Sequence, residues 1–187
     1  MRIVLASASP RREELLRRIV DTFDVVLPSG VEEPTRGRPS RRVLEAAQAK
    51  ARDVAARIEG IVIGADTIVV DRRSILGKPS SRDEAAWMLS RLSGREHEVL
   101  TGLCVIATHC GDERTAVERT NVRFRSLSER EIASYLDCGE YADKAGAYAI
   151  QGRASVFVER ICGDYTNVMG LPVCRLALLL RELGVDV

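Results

Sequence analysis

Two serines, a proline and two arginines stand directly behind a short apolar run in Leu5-Ala6-Ser7-Ala8-Ser9-Pro10-Arg11-Arg12. Ile3-Val4-Leu5 reads as a buried strand, and Ser9 can cap a helix that opens with Pro10, a residue pre-set for that position. Paired guanidinium groups beside a helix N-terminus describe a phosphate cradle, because the terminal N–H groups already favour an anion. An ordinary strand–helix turn with solvated arginines has the same spacing. Asp66 is the second chemical signal, since it separates the apolar runs Ile61-Val62-Ile63-Gly64-Ala65 and Ile68-Val69-Val70. A carboxylate placed there needs a cation, a metal or a hydrogen-bond donor. It reads as a general base or metal ligand, the plainer alternative being a strand-end acid that closes a local turn. Gly64 and Ala65 are expected to let a ligand approach the backbone.

Further groups could join this chemistry. Lys50 lies on an alanine-rich helical face (Ala46, Ala47, Ala49, Ala51), from which it could simply snorkel to water. Lys78 sits between Gly77 and Pro79 in a rigid turn. Glu32 and Glu33 fall in a loop; such acids ordinarily face water, but with Asp66 they could complete a divalent metal site. The run Asp143-Lys144-Ala145-Gly146-Ala147-Tyr148-Ala149-Ile150-Gln151-Gly152 suggests a loop closing over a ligand, or a tight turn with a solvated ion pair. Gln151 carries one donor and one acceptor for a base edge. Gly163 to Pro172, with Tyr165, Asn167 and Gly170, would supply another wall.

The elements that must hold these residues alternate between strand and helix. After the first strand the periodicity predicts a helix over about 10–20, a strand over 23–27 and a loop over 28–39. A long helix follows from Pro39 to about Glu59, then the strand containing Asp66 and a polar hairpin-like turn at Asp71 to Ser74. Capping boxes at Ser81–Glu84 and Ser128–Glu131 open helices that run to Gly94 and about Leu136. Between them, 95–109 and 115–126 read as two long strands paired antiparallel around Cys110–Glu113. A strand at Ser155 to Ile161 and a helix at Leu171 to Leu183 complete an α/β chain with a mixed sheet.

Composition narrows the chemistry. A formal net charge of +1 provides no field for nucleic acid or membrane, and 4 % aromatic residues leave few side chains to stack bases. Anion binding must therefore come from local clustering, which suits a small phosphate-bearing molecule. Walker, dinucleotide-binding and Gly-x-Ser-x-Gly motifs are all missing from the sequence. Five cysteines without a Cys-x-x-Cys pair suggest a reduced protein lacking structural zinc, with Cys104, Cys162 and Cys174 expected to be buried packing residues. With no signal-peptide or membrane-spanning run visible, the expected location is the cytoplasm.

Taken in order, Ser7-Ala8-Ser9-Pro10-Arg11-Arg12, Glu33, Lys50-Ala51, Gly64-Ala65-Asp66-Thr67, Gly77-Lys78-Pro79, Asp143 to Tyr148, Ile150-Gln151-Gly152 and Gly170-Leu171-Pro172 span nearly the whole chain. This ordered set resembles the Maf family of nucleoside triphosphate pyrophosphatases. The resemblance implies one domain over 1–187 with a mixed central sheet flanked by helices and two lobes around a cleft, often as a homodimer. It also implies hydrolysis of a nucleoside triphosphate to the monophosphate and pyrophosphate, dependent on a divalent cation such as Mg or Mn. By that resemblance Ser7, Arg12, Lys50 and Lys78 form the triphosphate-binding set, Asp66 is the general base, and Glu33 joins Asp66 on the metal side. Arg11, Thr67 and Gln151 are similar to the branch acting on thymidine and uridine triphosphates, as are Lys144 and Tyr148. The 7-methyl-GTP branch differs at the first three. The rival readings are a non-catalytic nucleotide-binding regulator of cell division, a pyrophosphatase of the 7-methyl-GTP type and, less favoured by charge and aromatic content, a small nucleic-acid-binding protein.

Overall fold

The computed structural model describes residues 1–31, 34 and 36–187. The chain runs β1 (Ile3–Ala6), α1 (Pro10–Leu16), β2 (Asp24–Val25), α2 (Pro39–Ala55), β3 (Ile61–Asp71), β4 (Ser74–Leu76), α3 (Arg82–Leu92), β5 (Glu96–Ala107), β6 (Asp112–Phe124) and α4 (Glu129–Asp137). Two 3-10 turns, Ala145–Ala147 and Arg153–Phe157, lead to β7 (Val158–Cys162), α5 (Tyr165–Met169) and α6 (Val173–Glu182). The strands form one mixed sheet in the order β2-β1-β3-β5-β6-β7, with β4 paired to β3. β1 is parallel to β2 and β3, whereas β4 and β7 are antiparallel to β3 and β6. β5 and β6 are neighbours joined by only residues 108–111, too short a link for a parallel crossover, so they pair antiparallel as expected.

The residues group into two compact units. Unit 1 comprises residues 1–67, 101–118 and 170–187; unit 2 comprises 68–100 and 119–169. In unit 1, α2 buries Ala47, Ala51 and Val54 with Val4, Ala6, Val62, Cys104 and Ile106 from the strands. This helix packs unusually close, because glycines face it from two strands. A Cβ at Gly64 would lie 2.8 Å from the backbone N and the Cβ of Ala51, and nearer still to the Ala47 carbonyl. A Cβ at Gly102 would meet the Val43–Leu44 backbone in the same way. Gly64 therefore seats a helix, and the expected opening for a ligand beside it is filled.

Unit 2 builds its core from aromatic edges. Phe124 meets Tyr148 at 4.9 Å and 72°, and His97 meets Phe124 at 5.0 Å and 89°. Tyr135 and Phe157 extend the cluster. Buried Asp71 is held by Arg91 Nε at 2.6 Å, and Arg91 also donates to Ser74 Oγ, bracing the β3–β4 hairpin.

Several local expectations need correction. α1 stops at Leu16 and tightens into turn-like bonds from Arg18 to Leu15 and Ile19 to Leu16. Pro10 does occupy the first helical position, but the Ser9 side chain makes no cap bond. Ser81 caps Glu84 N–H, yet the Glu84 carboxylate turns to Ser80; only the Ser128–Glu131 box is reciprocal. Residues 155–157, expected to open a strand, instead close a 3-10 turn that starts at Arg153, and β7 begins after it. Cys104 is buried, and burial with the nearby Glu113 charge pushes its thiol up to about 12. Cys162 and Cys174 are exposed instead. Cys162 ends an edge strand, and Cys174 lies off the Leu176, Leu179 and Leu180 stripe that α6 buries.

Candidate active site

The chain leaves β1 toward β2 on one side and returns through α2 to β3 on the other. The carboxyl end of β1 is therefore a topological switch point, where open α/β sheets bind their ligands. β1 ends at Ala6, which registers with Gly64, while β3 continues for seven more residues to Asp71. Ser7, Asp66 and Thr67 consequently stand just past the end of β1. Strand alternation puts Gly64 and Asp66 on the same face of β3, the one α2 covers, and turns Thr67 to the opposite face.

Close seating of α2 brings Lys50 onto Asp66. Lys50 Nζ donates to Asp66 Oδ1 at 2.5 Å, with only 18 % and 14 % of the two side chains exposed. Lys50 thus does not snorkel to solvent. At this depth the attraction exceeds that of a solvated surface pair. On the other face, Arg12 is held by three different groups. Its Nε donates to the Gly170 carbonyl at 2.8 Å, Nη1 to Ser7 Oγ at 3.3 Å and Nη2 to Thr67 Oγ1 at 3.2 Å. Thr67 Oγ1 also contacts Thr101 Oγ1 at 2.9 Å and the Gly170 carbonyl at 3.3 Å. Ser7 Oγ, itself buried, receives the Ser9 N–H at 3.2 Å. The guanidinium is thus held in one geometry, an arrangement that lowers the ordering cost of gripping a planar oxyanion. Arg11 follows in the same first turn and is partly exposed.

In unit 2, Gly146 N–H donates to the Gly77 carbonyl at 3.0 Å. Gly146 adopts φ +70°, and a Cβ there would press on the Val69 side chain at 3.0 Å. This seat fixes the turn that follows Lys144 to the segment that precedes Lys78. Lys78 is exposed, and Lys144 Nζ donates to the Ala142 carbonyl at 3.1 Å. Gln151 is exposed in the next turn. Tyr148 is buried, its hydroxyl 2.8 Å from His97 Nε2, so it serves the aromatic core rather than facing a ligand. Burial pushes His97 down to about 4, partly offset by the Asp71 charge, and raises the Tyr148 phenol.

Glu32 and Glu33 lie outside the described residues. Among the described residues no three His, Cys, Asp or Glu side chains converge as a metal cluster, and Asp66 is the carboxylate at the end of β1. One hard oxygen donor fits a Mg-type ion, which commonly takes one or two carboxylates and fills its shell with water and substrate phosphates. No helix among the described residues is long and apolar enough to cross a membrane. Two members of the Arg12 network lay outside the sequence reading of the site: Thr101 and the carbonyl role of Gly170. Thr101 was detectable as a hydroxyl inside the apolar run of β5.

Residues 2–183 match the family model described as Maf-like protein. The chain belongs to the Maf family. A dTTP/UTP pyrophosphatase of Thermococcus gammatolerans is 51 % identical over 185 residues, covering 99 % of this chain and 98 % of the relative. One from Carboxydothermus hydrogenoformans is 48 % identical, covering 98 % and 100 %. Among solved structures, a HAM1 protein from Coxiella burnetii shares the fold at a TM-score of 0.55 and 12 % identity, covering 97 % of this chain and 99 % of that one.

Proposed function

We propose that this chain hydrolyses pyrimidine nucleoside triphosphates, dTTP and UTP foremost, to the monophosphate and pyrophosphate. The Lys50–Asp66 pair and Arg12, held through the adjoining β3 residues Asp66 and Thr67, carry the reading, and the names of relatives near 50 % identity over the full length support it. Phosphoryl transfer to water needs positioning and charge neutralisation more than covalent help. Arg12, Ser7 and Lys50 bind and orient the triphosphate, with Lys78 and Lys144 proposed as further phosphate-binding groups. Asp66 Oδ1 is engaged by Lys50, so Oδ2 orients the attacking water and takes its proton as the α–β anhydride bond breaks. Asp66 and Glu33 would hold a divalent cation, Mg or Mn, which supplies charge neutralisation and a more acidic water when bound. Arg11, Thr67 and Gln151 set the preference for a pyrimidine base, Thr67 by holding Arg12 as well.

Turnover of dTTP, UTP, CTP and 7-methyl-GTP with Mg or Mn, scored for both pyrophosphate and inorganic phosphate, tests this. The expected result is equimolar monophosphate and pyrophosphate, fastest with dTTP and UTP. Tight nucleotide binding without turnover would establish the non-catalytic regulator in its place.

A further inference from the structure

Gln151 rides on a turn that two side chains from outside it clamp. Gly152 leaves no room for a Cβ: one there would lie 2.6 Å from Glu140 Oε2 and closer still to Oε1. The Glu140 carboxylate thus occupies the volume a side chain would need. Glu140 Oε1 also accepts the Arg153 N–H at 3.2 Å. On the other flank, Tyr135 Oη accepts the Ala149 N–H at 3.3 Å, and burial together with the Glu140 charge raises the Tyr135 phenol. The backbone amides two residues before and two after Gln151 are therefore both tied to side chains at the end of α4. Glu140 Oε2 is buried and has no hydrogen-bond partner among the described residues. One oxygen of this partly exposed acid is thus committed to the turn and the other is shut from water against it, which is more than packing alone requires.

We propose that Glu140 is a positioning residue that fixes the Gln151 turn and thereby sets base selectivity. This rests on the reading of Gln151 as the base-contacting residue. Gly152 is its counterpart: any Cβ at 152 must expel the carboxylate, a flexible group, while the backbone at φ −104° stays allowed. Loss of Glu140 and a side chain at 152 should then be one lesion reached by two routes.

The test compares Glu140→Ala, Gly152→Ala, the double variant, Glu140→Gln and Gln151→Ala. Two quantities are read: kcat/KM for dTTP against dGTP, and hydrogen exchange at the Arg153 amide. We expect Glu140→Ala and Gly152→Ala each to deprotect Arg153 and to lower the dTTP:dGTP ratio about tenfold, the scale of one lost hydrogen bond, mainly through KM for dTTP. The double variant should be no worse than either single one, and Glu140→Gln, which keeps an acceptor, should restore most of the ratio. Equal losses on both nucleotides, additive single effects or an unchanged Arg153 amide would overturn the proposal. If Gln151→Ala leaves the ratio unchanged while Glu140→Ala lowers it, Gln151 does not read the base, and the coupling of Glu140 to it is also refuted. Hydrolysis of neither nucleotide by the wild type would instead refute the pyrophosphatase reading itself.

Discussion

Replacing Gly64 with alanine should damage both stability and chemistry, because one methyl group separates α2 from β3. The new Cβ would stand 2.8 Å from Ala51 N and Cβ, where carbon atoms settle at about 3.5–4.0 Å, so roughly 1 Å of overlap must be relieved. The obstructing atoms include helix backbone and cannot swing aside as a side-chain tip would. Overpacking of this kind costs typically about 1–3 kcal/mol. Relief moves α2 outward and carries Lys50 with it, opening the 2.5 Å bond to Asp66 toward about 3.5 Å, beyond hydrogen-bond length. A displacement of about 1 Å in a positioning group can cost about 100-fold in rate. Urea denaturation at pH 7.5 and pyrophosphate release from dTTP read the two effects on one preparation. Gly102→Ala, which meets the Val43–Leu44 backbone farther from Lys50, should match the stability loss with a smaller loss of rate. A Gly64→Ala protein of wild-type stability and activity would refute the claim that tight seating of α2 positions Lys50.

Unit 2 should be acid-sensitive through His97. The unfolded imidazole takes its proton near 6.5 and the folded one only near 4, so stability is full above pH 6.5 and falls as pH drops from 6.5 to 4. That difference corresponds to about 3 kcal/mol. Denaturation midpoints at pH 7.5, 5.5 and 4 should show the loss in the wild type and lack it in His97→Phe/Tyr148→Phe, which removes both hydrogen-bond partners; parallel curves would count against it. Arg91→Met strands the buried Asp71 carboxylate and should cost about 3–5 kcal/mol at neutral pH. Adding Asp71→Asn should recover part of that loss in the same denaturation assay, and no recovery would mean the damage lies in packing rather than charge.

Periodicity and caps made the order of elements legible. The long helix from Pro39, the apolar strand interrupted by Asp66, and the helices opened by Ser81 and Ser128 all rest on local spacing, and the structure places them there within a few residues. The motif residues near positions 7–12 and 64–67 were legible as chemistry because polar groups break apolar runs. Partners were not legible. Lys50 and Asp66 are 16 residues apart, and their meeting depends on two glycines that let a helix approach two strands. Nothing local says that the Gly170 carbonyl, 158 residues from Arg12, accepts its Nε. The 153–157 segment alternates poorly between faces, so its 3-10 turn could not be told from a strand end. Glu140 carries no motif, and its role emerges only from the volume missing at Gly152.

Pyrophosphate release from dTTP by Asp66→Asn is the most direct test of the account. The variant keeps the size and a hydrogen-bond acceptor for Lys50 but cannot take a proton, so it should fold and bind nucleotide while turnover falls by about 100-fold or more. An Asp66→Asn protein that turns over dTTP at the wild-type rate would contradict it.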